Sequence, residues 1–145
     1  MNTDTSPLPD GQTSCKNAAV SSRKHTVLYI EDNSTIRQLL RYIIDLRPGL
    51  TLLEAENGAQ GLEMVQCHKP DLILLDIHLP DMNGFMVFQH LQNNADTANI
   101  PVVALSGSAA PSDIEIGLKT GFKRFLPKPI NIKELLSTLD SIIVP

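Results

Sequence analysis

The feature that most constrains the fold is the alternation of short apolar runs with segments of helical periodicity. The apolar runs predict five strands, at residues 26–30, 50–55, 71–75, 101–105 and 124–126. Helical spacing of apolar residues is clearest at 36–44 and 132–143. Residues suited to a helix start mark the helical segments: Asn33 or Ser34, Asn57-Gly58, Gly84, Pro111 and Asn131. Five strands alternating with five helices predict an α/β domain with helices on both faces of a parallel sheet.

A carboxylate directly follows the most hydrophobic of these runs. Residues 72–75 are all leucine or isoleucine, and Asp76 comes next. An aspartate after four buried apolar residues costs stability unless something satisfies it. Ligands of such sheets bind at the carboxyl ends of the strands, so the other strand ends are informative. They carry further polar side chains: Glu31, Asp32, Ser106 and Lys128.

These strand ends predict a cation site. Glu31, Asp32 and Asp76 in one pocket would repel one another and would be partly protonated unless a cation compensates. A hard divalent ion with oxygen ligands, above all magnesium, is the natural compensator, and Lys128 adds a second positive charge. Each residue alone has a structural explanation, such as a helix-start acid or a loop lysine. Their joint occurrence at successive strand ends favours a functional site.

Four motifs, in order along the chain, carry a resemblance to a known family: VLYIEDN, DLILLDIHLPDMNG, VVALSGSA and GFKRFLPKPI. With them, the segment from about residue 26 to 144 resembles a response-regulator receiver domain of two-component or phosphorelay signalling. Such domains occur both as stand-alone proteins and in hybrid kinases. The resemblance implies a doubly wound, flavodoxin-like α/β fold with five parallel strands in the order 2-1-3-4-5 and five helices.

The resemblance assigns the phospho-acceptor and the metal ligands. Asp76 would accept the phosphoryl group. Magnesium would be bound by Glu31, Asp32 and Asp76, together with the backbone carbonyl of His78. The pair Glu31-Asp32 stands where many members have two aspartates, and both acids are retained.

The resemblance also assigns the residues that sense the phosphoryl group. The Ser106 hydroxyl would bond a phosphoryl oxygen, and Lys128 would take the place of the family's invariant lysine. Phe125 falls where an aromatic residue turns inward on activation, so Ser106 and Phe125 would form the switch. The peptide bond between Lys128 and Pro129 would be cis.

The implied function is that of a signalling receiver. Asp76 would take a phosphoryl group from a histidine kinase or a histidine phosphotransfer protein, and phosphorylation would switch binding of an output protein. We expect no enzymatic activity beyond self-phosphorylation from a phosphodonor and autodephosphorylation. Two alternatives are a phosphate carrier or sink in a phosphorelay and a constitutive interaction module without phosphorylation. A phosphatase of the haloacid-dehalogenase type would need a second aspartate where His78 stands.

Composition excludes several partners and predicts the compartment. The net charge of −4 offers no general attraction to nucleic acid or to an anionic membrane. No apolar run approaches the roughly 20 residues that a membrane-spanning helix needs, and the N-terminus shows no signal peptide. The two cysteines, Cys15 and Cys67, are expected to be reduced and unrelated, although a disulfide is possible. These features predict a cytoplasmic protein.

Residues 1–25 differ in character from the rest of the chain. They are rich in Ser, Thr, Asn, Pro and Gly and lack periodic apolar residues. This composition predicts a disordered N-terminal extension, or alternatively a segment that folds on a partner. The receiver domain would then occupy residues 26–145.

Overall fold

A computed structural model of the protein describes residues 25–107 and 111–143. Five strands alternate with five helices over these ranges. The strands are β1 (His25–Ile30), β2 (Leu50–Ala55), β3 (Leu72–Asp76), β4 (Val102–Ser106) and β5 (Arg124–Pro127). The helices are α1 (Ser34–Asp45), α2 (Gly58–His68), α3 (Gly84–Gln92), α4 (Pro111–Thr120) and α5 (Ile132–Ile143). The predicted extension lies outside the described residues except for His25, so its disorder and the domain division stay predictions.

All five strands are parallel, and their order across the sheet is β2-β1-β3-β4-β5. This order confirms the doubly wound, flavodoxin-like fold. It also makes β1 and β3 neighbours, with Ile30 paired to Leu75. The residues that follow this pair, Glu31 and Asp76, therefore emerge side by side at the carboxyl edge of the sheet.

The sheet separates two hydrophobic clusters because side chains alternate between its faces. One cluster contains Leu28 and Ile30 of β1 and packs against α2, α3 and α4. The other contains Val27 and Tyr29 and packs against α1 and α5. All five residues of β3 are buried, which confirms that this strand is covered on both faces.

Three strands extend one residue beyond their predicted ends, β5 by including Pro127. Asp76 is the last residue of β3 and Ser106 the last of β4, whereas the apolar pattern placed both just after the strands. The difference arises because backbone pairing continues past the last apolar side chain. Ile77 donates its N–H to the carbonyl of Leu105, and Lys128 donates its N–H to that of Ser106.

The predicted helix starts are confirmed at three asparagines. Asn33 accepts the N–H groups of Thr35 and Ile36, and Asn57 accepts that of Gln60. Asn131 in the same way accepts the N–H of Glu134. Each cap satisfies N–H groups that have no partner inside the helix.

The expectation of reduced cysteines is wrong for Cys67, whose sulfur is disulfide-bonded in the structure. Sequence spacing does not reveal which sulfur atoms approach each other, and Cys15 lies outside the described residues. Among the helices of the described ranges, none has the length and apolar character needed to cross a membrane.

Candidate functional site

The carboxyl edge of the sheet brings together three of the predicted site residues. One carboxylate oxygen from each of Glu31, Asp32 and Asp76 lies within 4.8 Å of the others. Glu31 and Asp76 are 1% and 3% exposed, whereas Asp32 is open to solvent. The predicted acidic cluster is therefore formed in the tertiary structure, with two buried members and one at the surface.

The three carboxylates of the cluster outnumber the one ammonium beside them, that of Lys128. Burial raises the pKa of Asp76 above its ordinary value, and the neighbouring charge of Glu31 raises it further. The N–H of His78, 3.1 Å from Oδ1, and the Lys128 ammonium oppose this rise. Three convergent carboxylates, of which Asp76 has a raised pKa, are a donor set that suits a hard divalent cation such as magnesium.

Lys128 connects the two buried acids. Its Nζ lies 2.6 Å from Oε1 of Glu31 and 3.4 Å from Oδ1 of Asp76. Burial raises the pKa of Glu31, but hydrogen bonds from Lys128 and from the N–H of Asn33 outweigh it, and the pKa is lowered overall. The peptide bond between Lys128 and Pro129 is cis, as the resemblance implied. Glu31 is thus held as an anion, whereas the charge of Asp76 is less well compensated than that of Glu31.

Comparison with known proteins decides the family. Residues 27–140 match the response regulator receiver domain. The chain belongs to this family. PilH of Pseudomonas aeruginosa is 31% identical to this receiver protein over 117 residues, covering 81% of this chain and 96% of PilH. The polar-differentiation response regulator DivK of Brucella anthropi is 31% identical over 118 residues, covering 81% of this chain and 95% of DivK.

Solved structures agree with this assignment. The chemotaxis response regulator CheY4 of Vibrio cholerae matches with a TM-score of 0.75 and 26% identity, covering 83% of this chain and 99% of that chain. The protein is therefore a receiver domain of two-component signalling, and its carboxyl edge carries the acidic cluster described above.

The two predicted switch residues of this receiver domain line one cavity. Ser106 and Phe125 both border a space of about 270 Å³ beside α3 and α4. Ser106 is buried at the end of β4. Phe125 is 6% exposed, and its ring lies where a Cβ at position 117 would collide with it, so Gly117 leaves room for the ring. Phe125 thus already occupies an inward position, and its rotation on activation stays a prediction.

The loop after β3 is fixed by short-range contacts. The side chain of His78 is exposed, and the backbone N–H of His78 donates to the Asp76 carboxylate. Metal binding by the backbone carbonyl of His78 stays a prediction. A Cβ on Gly84 would lie 2.7 Å from the Cα of Ile77 and 2.8 Å from the carbonyl oxygen of Asp76. Only glycine allows α3 to begin this close to the end of β3.

An aspartate in this loop has a role that the sequence did not reveal. The carboxylate of Asp81 accepts the N–H of Gly58 at 2.8 Å and the N–H of Ala59 at 2.9 Å. These bonds lower the pKa of Asp81, with that from Gly58 contributing most. They anchor the loop that follows Asp76 to the first turn of α2, where a negative charge is favourable.

Two further contacts to Glu31 were also missed. Tyr29, fully buried in β1, donates its phenol hydrogen bond to Oε1 of Glu31 at 3.0 Å. Arg37, 8% exposed, donates from Nη1 to the backbone carbonyl of Glu31 at 2.7 Å and from Nε to Glu54 at 3.2 Å. The alternation of side chains along β1 puts Tyr29 and Glu31 on one face, so that contact could have been inferred from the sequence.

Proposed function

We propose that the protein is a phosphorylation-dependent receiver whose Asp76 accepts a phosphoryl group from a histidine kinase or a histidine phosphotransfer protein. The observation that carries this proposal is the meeting of Asp76 with two acids and an ammonium at one sheet edge. The Lys128 ammonium lies 3.4 Å from the Asp76 carboxylate. Membership of the receiver family supports the same assignment.

The proposed reaction uses Asp76 as a nucleophile. A carboxylate oxygen forms a bond to the phosphorus of a phosphohistidine, the phosphorus–nitrogen bond breaks, and its electron pair remains on the donor imidazole. Asp76 suits this role because its position at the end of a buried strand holds it rigidly. Its raised pKa shows that the folded protein compensates the negative charge of Asp76 incompletely. A bound cation, or a bond to a phosphoryl group, would relieve this uncompensated charge on the Asp76 carboxylate.

The surrounding residues would stabilise the transferred group. Magnesium, held by Glu31, Asp32, Asp76 and the carbonyl of His78, would supply positive charge to the phosphoryl oxygens. Lys128, whose ammonium lies 3.4 Å from the Asp76 carboxylate, would add a second positive charge. Catalysis would consist of positioning and electrostatic stabilisation, so we propose no enzymatic activity beyond self-phosphorylation and autodephosphorylation.

The proposed output is a shift between two populations. The hydroxyl of Ser106 would donate to a phosphoryl oxygen on Asp76, and this movement would change the cavity that it shares with Phe125. The ring of Phe125 also lies beside the rings of Phe85 and Phe122, whose centroids are 6.5 Å and 6.1 Å from the Phe125 centroid. A change at Ser106 would therefore reach α3, α4 and β5 and alter binding of an output protein.

The first test is intact mass after incubation with magnesium and acetyl phosphate. We expect one added phosphoryl group on the wild type, none on Asp76→Asn and none when magnesium is chelated. Asp140→Asn is a matched control, because the Asp140 carboxylate lies on α5, outside the acidic cluster, where it pairs with Arg47, and it should be phosphorylated normally. An adduct on Asp76→Asn, or none on the wild type, would contradict the proposal.

The lifetime of the adduct separates the switch from a carrier or sink. A long-lived adduct whose formation changes the environment of Phe125 supports a switch, whereas rapid loss to water or to a phosphotransfer protein supports a carrier.

We further propose a cytoplasmic location and no membrane insertion or nucleic-acid binding. A disulfide at Cys67 is uncommon in the cytoplasm, so cell fractionation is the appropriate measurement.

A further inference from the structure

The phenol of Tyr29 is a polar group at a position that otherwise belongs to the core. Its neighbours on β1, Val27, Leu28 and Ile30, are apolar, and Tyr29 itself is fully buried. A buried hydroxyl is costly unless it has a hydrogen-bond partner. Its partner is Oε1 of Glu31, 3.0 Å away. Phenylalanine would fill nearly the same space, so the hydroxyl contributes a hydrogen bond rather than volume.

Glu31 is held by three donors, two of them two residues away in the chain and the third, Lys128, far away. Its Oε1 accepts from Tyr29 and, at 2.6 Å, from Nζ of Lys128, while Oε2 accepts the N–H of Asn33 at 3.1 Å. A carboxylate has about four lone-pair positions. Three fixed donors therefore determine the plane of this carboxylate within the acidic cluster.

The same contacts form a continuous chain to the phospho-acceptor. Tyr29 contacts Glu31, Glu31 contacts Lys128, and Lys128 lies 3.4 Å from Oδ1 of Asp76. If the phenol hydroxyl were absent, Glu31 would lose one of its two contacts at Oε1. The carboxylate and the ammonium that it holds could then move relative to Asp76.

We propose that Tyr29 is a positioning residue of the receiver site, which orients Glu31 for magnesium binding and keeps Lys128 beside Asp76. This inference rests on the proposed function, because it assigns Tyr29 a role in the same magnesium and phosphoryl chemistry. Partners that orient a metal ligand typically contribute 10–100-fold to metal affinity.

The chain offers a matched pair of variants. It contains two tyrosines, and Tyr42 on α1 is 66% exposed. Magnesium affinity is measured for Tyr29→Phe and Tyr42→Phe from the rise in melting temperature with magnesium concentration. Phosphorylation by acetyl phosphate is measured at matched magnesium saturation. We expect Tyr29→Phe to weaken magnesium binding about 10-fold and to slow phosphorylation, and Tyr42→Phe to change neither.

A spectroscopic measurement separates positioning from packing. In Tyr42→Phe protein, Tyr29 is the remaining tyrosine, and a change in its phenol hydrogen bond alters its near-ultraviolet absorption. We expect magnesium to change this spectrum with the same midpoint as in the thermal titration. A spectrum that does not respond to magnesium would count against the proposal.

A double substitution tests whether Tyr29 acts through Glu31. In a Glu31→Ala background, Tyr29→Phe should cause no further loss of magnesium affinity, because the group that it orients is gone. Equal losses with and without Glu31, or an unchanged affinity in Tyr29→Phe alone, would overturn the inference. Normal magnesium binding and phosphorylation in the wild type would at the same time leave the proposed function intact. A wild type that neither binds magnesium nor accepts phosphate would overturn both.

Discussion

Replacing Asp76 by asparagine should raise the stability of the magnesium-free protein. The side chain is buried, and burial together with the charge of Glu31 holds its pKa above the ordinary value of 3.8. Because the folded pKa exceeds the unfolded one, ionisation costs folding free energy. The contribution of this group is most favourable below pH 3.8 and declines as the pH rises through the folded pKa. Asparagine removes this cost at neutral pH.

The magnitude follows from the contacts of Asp76. Asparagine can still accept the N–H of His78, which lies 3.1 Å from Oδ1. It gives up the 3.4 Å ion pair with Lys128, but the ammonium keeps its 2.6 Å contact with Glu31. The relief of burial and repulsion should exceed the loss of this longer contact by on the order of 1 kcal/mol in the free energy of unfolding. For a domain of this size, that corresponds to a rise of about 4 °C in melting temperature.

The assay is thermal unfolding followed by circular dichroism at pH 7 with a chelator present. Asp81→Asn is the control, since it makes the same substitution in the loop that follows β3 but should lower the stability instead of raising it. Its carboxylate accepts two N–H groups at the start of α2, where a negative charge contributes about 0.3–1 kcal/mol. Magnesium should stabilise the wild type more than Asp76→Asn and so narrow the difference. A destabilised Asp76→Asn protein would refute the reasoning.

Three further predictions concern the residues around the site. Arg37→Met should lower the free energy of unfolding in urea by about 1–3 kcal/mol, because it leaves a buried backbone carbonyl without its donor. Arg41→Met, which loses an exposed ion pair with Glu54, should destabilise the protein less. A hydrogen bond from Arg41 lowers the pKa of Glu54 below 4.5, and a hydrogen bond from Arg37 lowers this pKa further. Wild type should therefore lose more stability than Glu54→Gln as the pH falls from 7 through the folded pKa, and equal losses in acid titrations would contradict this. Gly117→Ala should displace the ring of Phe125, costing about 1–3 kcal/mol and changing the near-ultraviolet circular dichroism, and an unchanged spectrum would show that the ring stays in place.

The sequence was sufficient to predict the elements and most of the site. Apolar runs located every strand to within about one residue, because burial requires that pattern whatever the partner element is. Apolar spacing located the first and last helices, and residues suited to a helix start located the other three. The carboxylates and Lys128 could be assigned to one edge because parallel strands end together. The predicted ends of β3 and β4 were one residue short, because backbone pairing includes Asp76 and Ser106 although their side chains are polar.

Tertiary structure alone decided how the site is held together. Nothing in the spacing of Asp81 indicates that its carboxylate reaches the first turn of α2, 22 and 23 residues earlier in the chain. Arg37 likewise gains its role from the position of Glu54 on the neighbouring strand, which draws the guanidinium toward the carbonyl of Glu31. Such contacts depend on the packing of helices against the sheet and on the side-chain conformations that this packing permits. Local pattern therefore determined which residues reach the carboxyl edge of the sheet, and the packing of distant segments determined their orientation.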